Sequence, residues 1–161
     1  MLKTVTNMGS LPFDQLREIY AESNAAQARE QWPDLEENEA RLRAELDFYQ
    51  YLRQDFFTME GSFYALWLEN GRAVSALRLE PWRGGWLLEG LETHPDHRGR
   101  GYAKALMKAA LGTVEGQVRA HVHRDNGVSR HVHEACGFHR SSDTAMVDGS
   151  YLPGYLTFLR E

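Results

Sequence analysis

Between Leu91 and Lys104 the chain passes from an apolar segment through a short polar turn to two glycines that open an amphipathic helix. Glycine lets the backbone approach an anion closely, and the first N–H groups of a helix have no partners within it. The helix dipole adds partial positive charge at that end, and Arg98, Arg100 and Lys104 add full charges. The sequence therefore predicts a phosphate-binding loop between a strand and a helix, and with it an α/β fold.

Two common kinds of phosphate loop are excluded here. A P-loop needs Gly-Lys-Ser/Thr after its glycines, and the sequence has no such run there. A dinucleotide-binding loop needs a third glycine three residues after Gly101, where Lys104 stands. The spacing that the sequence does satisfy is Arg-x-x-Gly-x-Ala, formed by Arg98, Gly101 and Ala103.

A second motif follows about one strand later, between Asn126 and Phe138. Together the two motifs resemble the GNAT family of N-acetyltransferases. The first resembles the family's acyl-CoA pyrophosphate loop, and the second its Asn-x-x-Ala/Ser-x-x-Leu-Tyr-x-x-x-Gly-Phe segment. The resemblance is strong over about residues 86 to 139 and weakest before residue 60.

The pattern of apolar residues predicts the order of the elements. Residues 2–8 form a weak edge strand, and a first helix ends at Trp32-Pro33. A second helix runs over about 35–53, with Leu42, Leu46 and Leu52 on its buried side. A three-stranded meander (63–68, 72–80 and 86–93) then leads into the loop, its last turn being Pro81–Gly85. Further predicted elements are the helix opened by the glycines, a strand at 117–124, a helix at 127–135, and strands at 138–147 and 151–159.

These elements predict a single α/β domain over residues 1–161. The resemblance implies the acyl-CoA N-acyltransferase (GNAT) fold, a mixed, largely antiparallel sheet with helices on both faces and splayed central strands. It also implies an N-terminal strand and acceptor-side helices in residues 1–60, and the sheet and acetyl-CoA-binding core in residues 61–161.

Charge is distributed unevenly along the chain. The net charge of the 161 residues is −5, which disfavours nucleic acid as a partner. Residues 11–50 hold ten acidic and four basic side chains, whereas residues 92–140 hold eight basic and five acidic ones. The basic half suits an anionic donor, and the acidic half could attract a cationic amine.

The sequence also predicts the compartment. One cysteine, Cys136, excludes an internal disulfide, and no apolar run approaches the roughly 20 residues of a membrane helix. No N-terminal apolar signal region is present either. We therefore expect a cytoplasmic protein that binds no membrane and is a monomer or a homodimer.

The resemblance implies where acetyl-CoA binds. Backbone groups of Leu91, Glu92 and Thr93 would run beside the pantetheine arm, and a β-bulge there could direct an N–H at the thioester oxygen. Relatives usually carry valine where Thr93 stands. The remaining implied contacts with acetyl-CoA come from the loop and from the second motif: Arg98, Gly99, Arg100, Gly101, Tyr102, Ala103, Lys104, Asn126 and Ser129.

Transfer of an acyl group to an amine needs a base for the amine and benefits from a proton donor for the thiolate. Many relatives have a donor tyrosine seven residues after the motif's asparagine, and His133 stands there. Histidine can also protonate a thiolate near neutral pH. Two candidates for the base remain open, His121 on the strand before Asn126 and Glu89 on the strand before the loop.

The leading hypothesis is an acetyl-CoA-dependent N-acetyltransferase that acts directly on a primary amine of a small molecule or peptide. The alternative is a non-catalytic acyl-CoA-binding or regulatory module of the same fold. All seven histidines fall within 46 residues, and His121 and His123 could share a metal ion. The sequence has no His-Glu-x-x-His motif and no cysteine pair, so we expect no metal.

Overall fold

The computed structural model describes all residues from 1 to 161. The strands are β1 (Leu2–Val5), β2 (Phe63–Glu69), β3 (Arg72–Trp82), β4 (Gly85–Thr93), β5 (Val118–His123), β6 (His139–Ser142), β7 (Met146–Val147), β8 (Ser150–Tyr151) and β9 (Tyr155–Arg160). The α-helices are α1 (Phe13–Ile19), α2 (Ala21–Gln31), α3 (Glu37–Gln54), α4 (Tyr102–Leu111) and α5 (Gly127–Ala135). Short 3-10 turns lie at Met8–Ser10, Phe56–Thr58 and Pro95–His97.

Seven strands form one sheet in the order β1-β2-β3-β4-β5-β9-β6, and β7 pairs only with β8. Every neighbouring pair is antiparallel except β4 and β5, which are parallel. The prediction of a mixed, largely antiparallel sheet is confirmed. None of the helices combines the length and the apolar composition needed to cross a membrane.

Helices cover both faces of the sheet, and each face has its own apolar core. On one face, α4 and the end of α5 pack on alternate residues of β2 to β5 and β9, including Leu77, Val122 and Phe158. On the other face, α1 and α3 pack on Tyr64, Leu66 and Ala76. We refer to these as the α4 face and the α3 face. The alternation of a strand sends neighbouring side chains to opposite faces, so each position in β4 and β5 has a defined side.

The central strands separate at the position that the fold prediction required. β4 and β5 pair only at Trp86–Val118, Leu87–Arg119 and Leu88–Ala120. Beyond Leu88 and Ala120 the strands share no further pairs, and residues 89–93 of β4 have no strand neighbour on the β5 side. A wedge between β4 and β5 therefore opens toward the end of β4 that leads into α4.

Four predicted element boundaries or faces were wrong. The first predicted helix is two helices that meet at Tyr20, whose buried phenol is fixed to the sheet. Leu42 and Leu46 are 55% and 54% exposed, because α3 packs through Ala40 and Ala44 on the opposite side of the helix.

The other two errors concern the strands. The turn expected at Pro81–Gly85 is confined to Arg83 and Gly84, both at positive φ, and Pro81 and Trp82 continue β3. The strand expected over 138–147 ends at Ser142, and Met146–Val147 pairs with β8 in a separate hairpin.

Candidate functional site

The loop before α4 presents unpaired backbone donors. Gly99 and Gly101 have φ values of 74° and 80°, which side-chain-bearing residues rarely adopt. Gly101 is the N-cap of α4 and offers no side-chain cap, and the first turn contains no acidic residue. The Ala105 N–H donates to the Gly101 carbonyl at 3.0 Å, so the N–H groups before it lack intrahelical acceptors. Such a helix start suits an anion.

The three basic side chains predicted here, Arg98, Arg100 and Lys104, are all solvent-exposed, and Arg98 also contacts other parts of the protein. Arg98 is held back toward the protein, since its Nε donates to the Thr93 carbonyl at 3.3 Å and its Nη2 lies 2.9 Å from a Glu22 carboxylate oxygen. Glu22 belongs to α2, so an ion pair joins α2 to the loop before α4.

The strand that borders the wedge contains the bulge that the sequence analysis anticipated. Ala76 of β3 pairs with Glu92 and Arg78 pairs with Glu89, so Gly90 and Leu91 together oppose a single residue of β3. Gly90 has φ 64°. The bulge turns the backbone of Gly90 and Leu91 out of the regular ladder at the edge of the wedge, where an N–H can serve a bound group.

The three predicted pantetheine-binding residues point to different sides. Leu91 packs against the core of the α4 face. The Thr93 hydroxyl lies 2.9 Å from that of Ser75, whose hydroxyl donates to the Glu92 carbonyl at 2.8 Å. The Glu92 carboxylate accepts a hydrogen bond from Ser23 of α2. Burial raises the pKa of Glu92 to about 7, and the nearby charge of Arg98 opposes that rise.

Both candidate bases lie on the α3 face, on opposite sides of the wedge. Val122 and Ala120 enter the core of the α4 face, so Arg119, His121 and His123 project from the other face. Both ring nitrogens of His121 are shielded from water and have no hydrogen-bond partner. Burial lowers the pKa of His121, the charge of Glu89 opposes this, and Arg119 reinforces it.

Glu89 is not a free carboxylate. It accepts a hydrogen bond from Arg78 of β3 at 3.2 Å, and the two side chains are 28% and 18% exposed. Arg78 was not among the predicted site residues, although one arginine between apolar neighbours in β3 was a signal that could have revealed it. A cavity of about 370 Å³ adjoins Arg78, lined also by Gln27, Asp47, Phe48 and Tyr51.

A second carboxylate lies on β3 near the same face. One Glu80 oxygen is buried without a hydrogen-bond partner. Burial raises the pKa of Glu80 to about 6, the charges of Glu89 and of Asp148 add to the rise, and Arg78 opposes it. Asp148 lies between β7 and β8, so the charge of that hairpin acts on Glu80.

The second motif forms the start of α5. The Asn126 side chain accepts from the Ser129 N–H at 3.0 Å and so caps the helix. His133 is only 3% exposed, and its ring lies 5.2 Å from that of Phe138. Its Nδ1 lies 2.7 Å from the Ser129 carbonyl and therefore carries the proton, leaving Nε2 as the second nitrogen. Burial lowers the pKa of His133, which the bond to Ser129 opposes.

The remaining chemical candidates show no reactive arrangement. Cys136 is buried, and burial raises the pKa of its thiol, whereas a nucleophilic cysteine needs a lowered one. No group of three or more histidine, cysteine, aspartate or glutamate side chains is placed to hold a metal ion. His123 lies 3.9 Å from Asp125 and stacks edge-on against Tyr155, and His94 lies 3.8 Å from Glu18.

Apart from His133, the predicted residues thus lie around one wedge. The loop lies at its open end, the backbone of residues 91–93 forms one edge, and the start of α5 follows β5 on the other. Glu89 and His121 share the face that α1 to α3 border, whereas His133 is buried against Phe138 and Phe158. Their roles in the reaction remain predictions.

Comparisons with known proteins agree with this geometry. The model of the Acetyltransferase (GNAT) family matches residues 13–138. No curated protein sequence matches the chain significantly.

Many solved structures share the fold, including three that match nearly the whole chain. The PaiA N-acetyltransferase from Thermoplasma acidophilum, in complex with coenzyme A, has a TM-score of 0.65 at 12% identity, over 100% of this chain and 99% of that one. PH1933 from Pyrococcus horikoshii OT3 has a TM-score of 0.67 at 13% identity, over 99% and 98%. The IAA acetyltransferase from Bacillus cereus has a TM-score of 0.62 at 11% identity, over 99% and 97%.

At such identities the structures show a common fold, and the family model supplies the assignment. Because the matched segment runs from α1 through the whole second motif, the protein belongs to the GNAT family and is an acetyltransferase.

Proposed function

We propose that the protein transfers an acetyl group from acetyl-CoA directly to a primary amine of a small molecule or peptide. The observation that carries this proposal is the wedge. The pairing of β4 with β5 stops at Leu88 and Ala120, and the opening leads to a helix start with unpaired N–H donors. A ligand with phosphates and a long amide-containing arm fits this combination. The phosphates fit the unpaired N–H groups at the start of α4, and the amides of the arm fit the unpaired edge of β4.

The donor is held by backbone groups and by charge. The N–H groups of residues 99–104 and the side chains of Arg98, Arg100 and Lys104 bind the pyrophosphate. The free edge of β4 at Leu91, Glu92 and Thr93 pairs with the amides of the pantetheine arm. Asn126 and Ser129 approach the arm from the start of α5. Arg98 exchanges Glu22 for phosphate, because both are anions within reach of the same guanidinium.

His121 is the base that we favour for the amine. An alkylamine with a pKa near ~10.4 is almost wholly protonated at neutral pH and cannot attack in that form. Burial keeps His121 neutral, and neither ring nitrogen is engaged elsewhere in the protein. Glu89 faces His121 with negative charge that stabilises the imidazolium formed when the proton is taken. Glu89 remains the rival base, acting through a water molecule.

The attack itself involves no covalent enzyme intermediate. The amine nitrogen bonds to the thioester carbon, the carbon–sulfur bond breaks, and the electron pair leaves with sulfur. An N–H of the Gly90–Leu91 bulge stabilises the charge that develops on the carbonyl oxygen. His133 in its protonated form supplies a proton to sulfur through Nε2, since Nδ1 is fixed to Ser129.

The acceptor is a cation. The charge of residues 11–50 is strongly negative, and these residues form the helices bordering the α3 face. Asp47 lines the cavity beside Arg78, and Glu80 and Glu89 lie on the adjacent strands. A positively charged amine would be attracted to this surface, whereas an acidic acceptor would be repelled.

Thiol release distinguishes an enzyme from a binding module. The protein is mixed with acetyl-CoA and either cadaverine, lysinamide, benzylamine or glutamate, and free thiol is measured over time. We expect amine-dependent release, and acetylation at a primary amine by mass spectrometry. Acetyl-CoA binding by calorimetry without release for any amine would contradict the proposal and favour a regulatory module.

A further inference from the structure

Arg78 is a largely buried charged side chain of the α3 face that contacts several elements. It lies in the middle of β3 among buried residues, and its side chain is 18% exposed. Its guanidinium carbon lies 5.4 Å from the centre of the Tyr51 ring on α3, and its Nη2 lies 3.2 Å from a Glu89 oxygen. A buried ion pair is weak evidence for a purely stabilising role, so the contacts of Arg78 with Glu89 and with the bulge call for another explanation.

The same guanidinium also contacts the bulge. A Cβ added at Gly90 would lie 2.8 Å from Arg78 Nη1 and 3.3 Å from the Tyr20 hydroxyl. The Tyr20 hydroxyl donates to the Gly90 carbonyl at 2.5 Å and lies 3.3 Å from that of Tyr64. Gly90 is therefore packed from behind by a guanidinium and a phenol, and its positive φ of 64° also favours glycine.

We propose that Arg78 is a positioning residue for acetyl transfer, holding the Glu89 carboxylate toward His121 and supporting the Gly90–Leu91 bulge. The proposal rests on the function proposed above. Arg78 neither exchanges a proton nor binds the donor in this proposal, and it acts through the Glu89 carboxylate and the Gly90–Leu91 bulge. The planar fork of arginine suits two contacts in different directions, which lysine cannot reproduce.

The effect of replacing Arg78 on the protonation of His121 depends on the charged and titratable groups around the two residues. Arg78 faces Tyr20 at the α1–α2 junction, Tyr51 on α3, Tyr64 on β2, and Glu80 and Glu89 on β3 and β4. His121 faces Glu89 from β4 and Arg119 from β5, and its β9 partner Thr157 is uncharged. In Arg78→Met, Glu89 loses its cation and presents uncompensated negative charge to His121. The proton affinity of His121 should then rise about threefold or more.

Histidine NMR titration tests this without needing an acceptor. His121→Asn identifies the His121 signal, and titrations follow in wild type, Arg78→Met, Arg78→Lys and Glu89→Gln. We expect a higher pKa for His121 in Arg78→Met, partial return toward wild type in Arg78→Lys, and a lower pKa in Glu89→Gln. Arg43→Met, which removes the exposed 3.3 Å pair with Glu39 on α3, is the matched control and should change nothing. An unchanged His121 titration in folded Arg78→Met would overturn the proposal, even if no transfer activity were found.

Kinetics with the best amine of the panel give the second readout. Arg78→Met should lower kcat about tenfold or more and leave the KM for acetyl-CoA nearly unchanged, because the phosphate loop is untouched. In a Glu89→Gln background the same substitution should have a much smaller effect, since the two residues act as a unit. Additive losses would show that Arg78 does not act through Glu89. If Arg78→Met fails to fold, Arg78→Lys carries the same comparison.

Discussion

At the scale of single residues, the buried His133 and the partly buried His121 both contribute to the response of the protein to pH. Burial lowers the pKa of both His121 and His133 in the folded chain. The unfolded chain binds protons at these positions below about pH 6.5, whereas the folded chain resists them. Their contribution to stability is therefore present above that pH and is lost as the pH falls below it. Neutral His121 suits a base, whereas the acid role of His133 requires its disfavoured form.

His133→Phe tests the acid role. The substitution should lower kcat about tenfold or more near pH 6 and change the KM for acetyl-CoA little. Because only the imidazolium can donate a proton from Nε2, the gap between wild type and variant should narrow as the pH rises. His133→Tyr, which restores a proton donor, should retain more activity than His133→Phe. Equal rates at saturation across about pH 5.5 to 8, with both variants folded, would make His133 a packing residue that anchors α5 to Phe138 and Phe158.

At the scale of elements, the loop before α4 should determine donor affinity. In Gly101→Glu, a carboxylate would occupy the anion site and a side chain would have to adopt φ 80°. Calorimetry should find no acetyl-CoA binding. Gly84→Glu is the control, because Gly84 has φ 78° and open space around it but lies at the opposite end of β4. It carries the same backbone strain and should bind acetyl-CoA normally. Normal binding of acetyl-CoA by Gly101→Glu would show that this loop does not bind the phosphates.

Elements with strong local signals were predictable from the sequence, and elements decided by distant contacts were not. The strand, glycines and apolar stripe around Gly101 specify β4 and α4 within one segment, so both were placed correctly. The break between α1 and α2 at Tyr20 depends on a hydrogen bond to Gly90, which is distant in sequence. The sequence of α1 and α2 alone therefore does not predict it. The wrong face of α3 has a similar cause. Alanines pack closely between helices, so Ala40 and Ala44 turned the larger Leu42 and Leu46 outward.

For the molecule as a whole, the two sides of the wedge differ in how far sequence could specify them. The donor side consists of motifs whose members are close in sequence, such as Arg98 with Gly101 and Asn126 with Ser129. The acceptor side is assembled from several separate elements, among them Arg78 on β3 and Tyr51 on α3. The alternation of residues along β5 is enough to place Val122 on the face opposite to His121 and His123. It gave no sign of the ion pair between Arg78 and Glu89.

The same separation puts opposite charge on the two sides, and this predicts the acceptor. Donor and acceptor must reach the wedge together, so a negative acceptor side would select a cationic amine beside the anionic donor. Cadaverine and lysinamide should have kcat/KM values about tenfold or more above that of glutamate, and added salt should reduce the difference.

Asp47→Asn, which alters the cavity beside Arg78, should lower kcat/KM for cadaverine while leaving acetyl-CoA binding unchanged. Glu115→Gln removes an equal charge from the exposed loop between α4 and β5, remote from that cavity, and should have no such effect. A preference for acidic amines, or equal losses in the two variants, would show that this charge does not choose the acceptor.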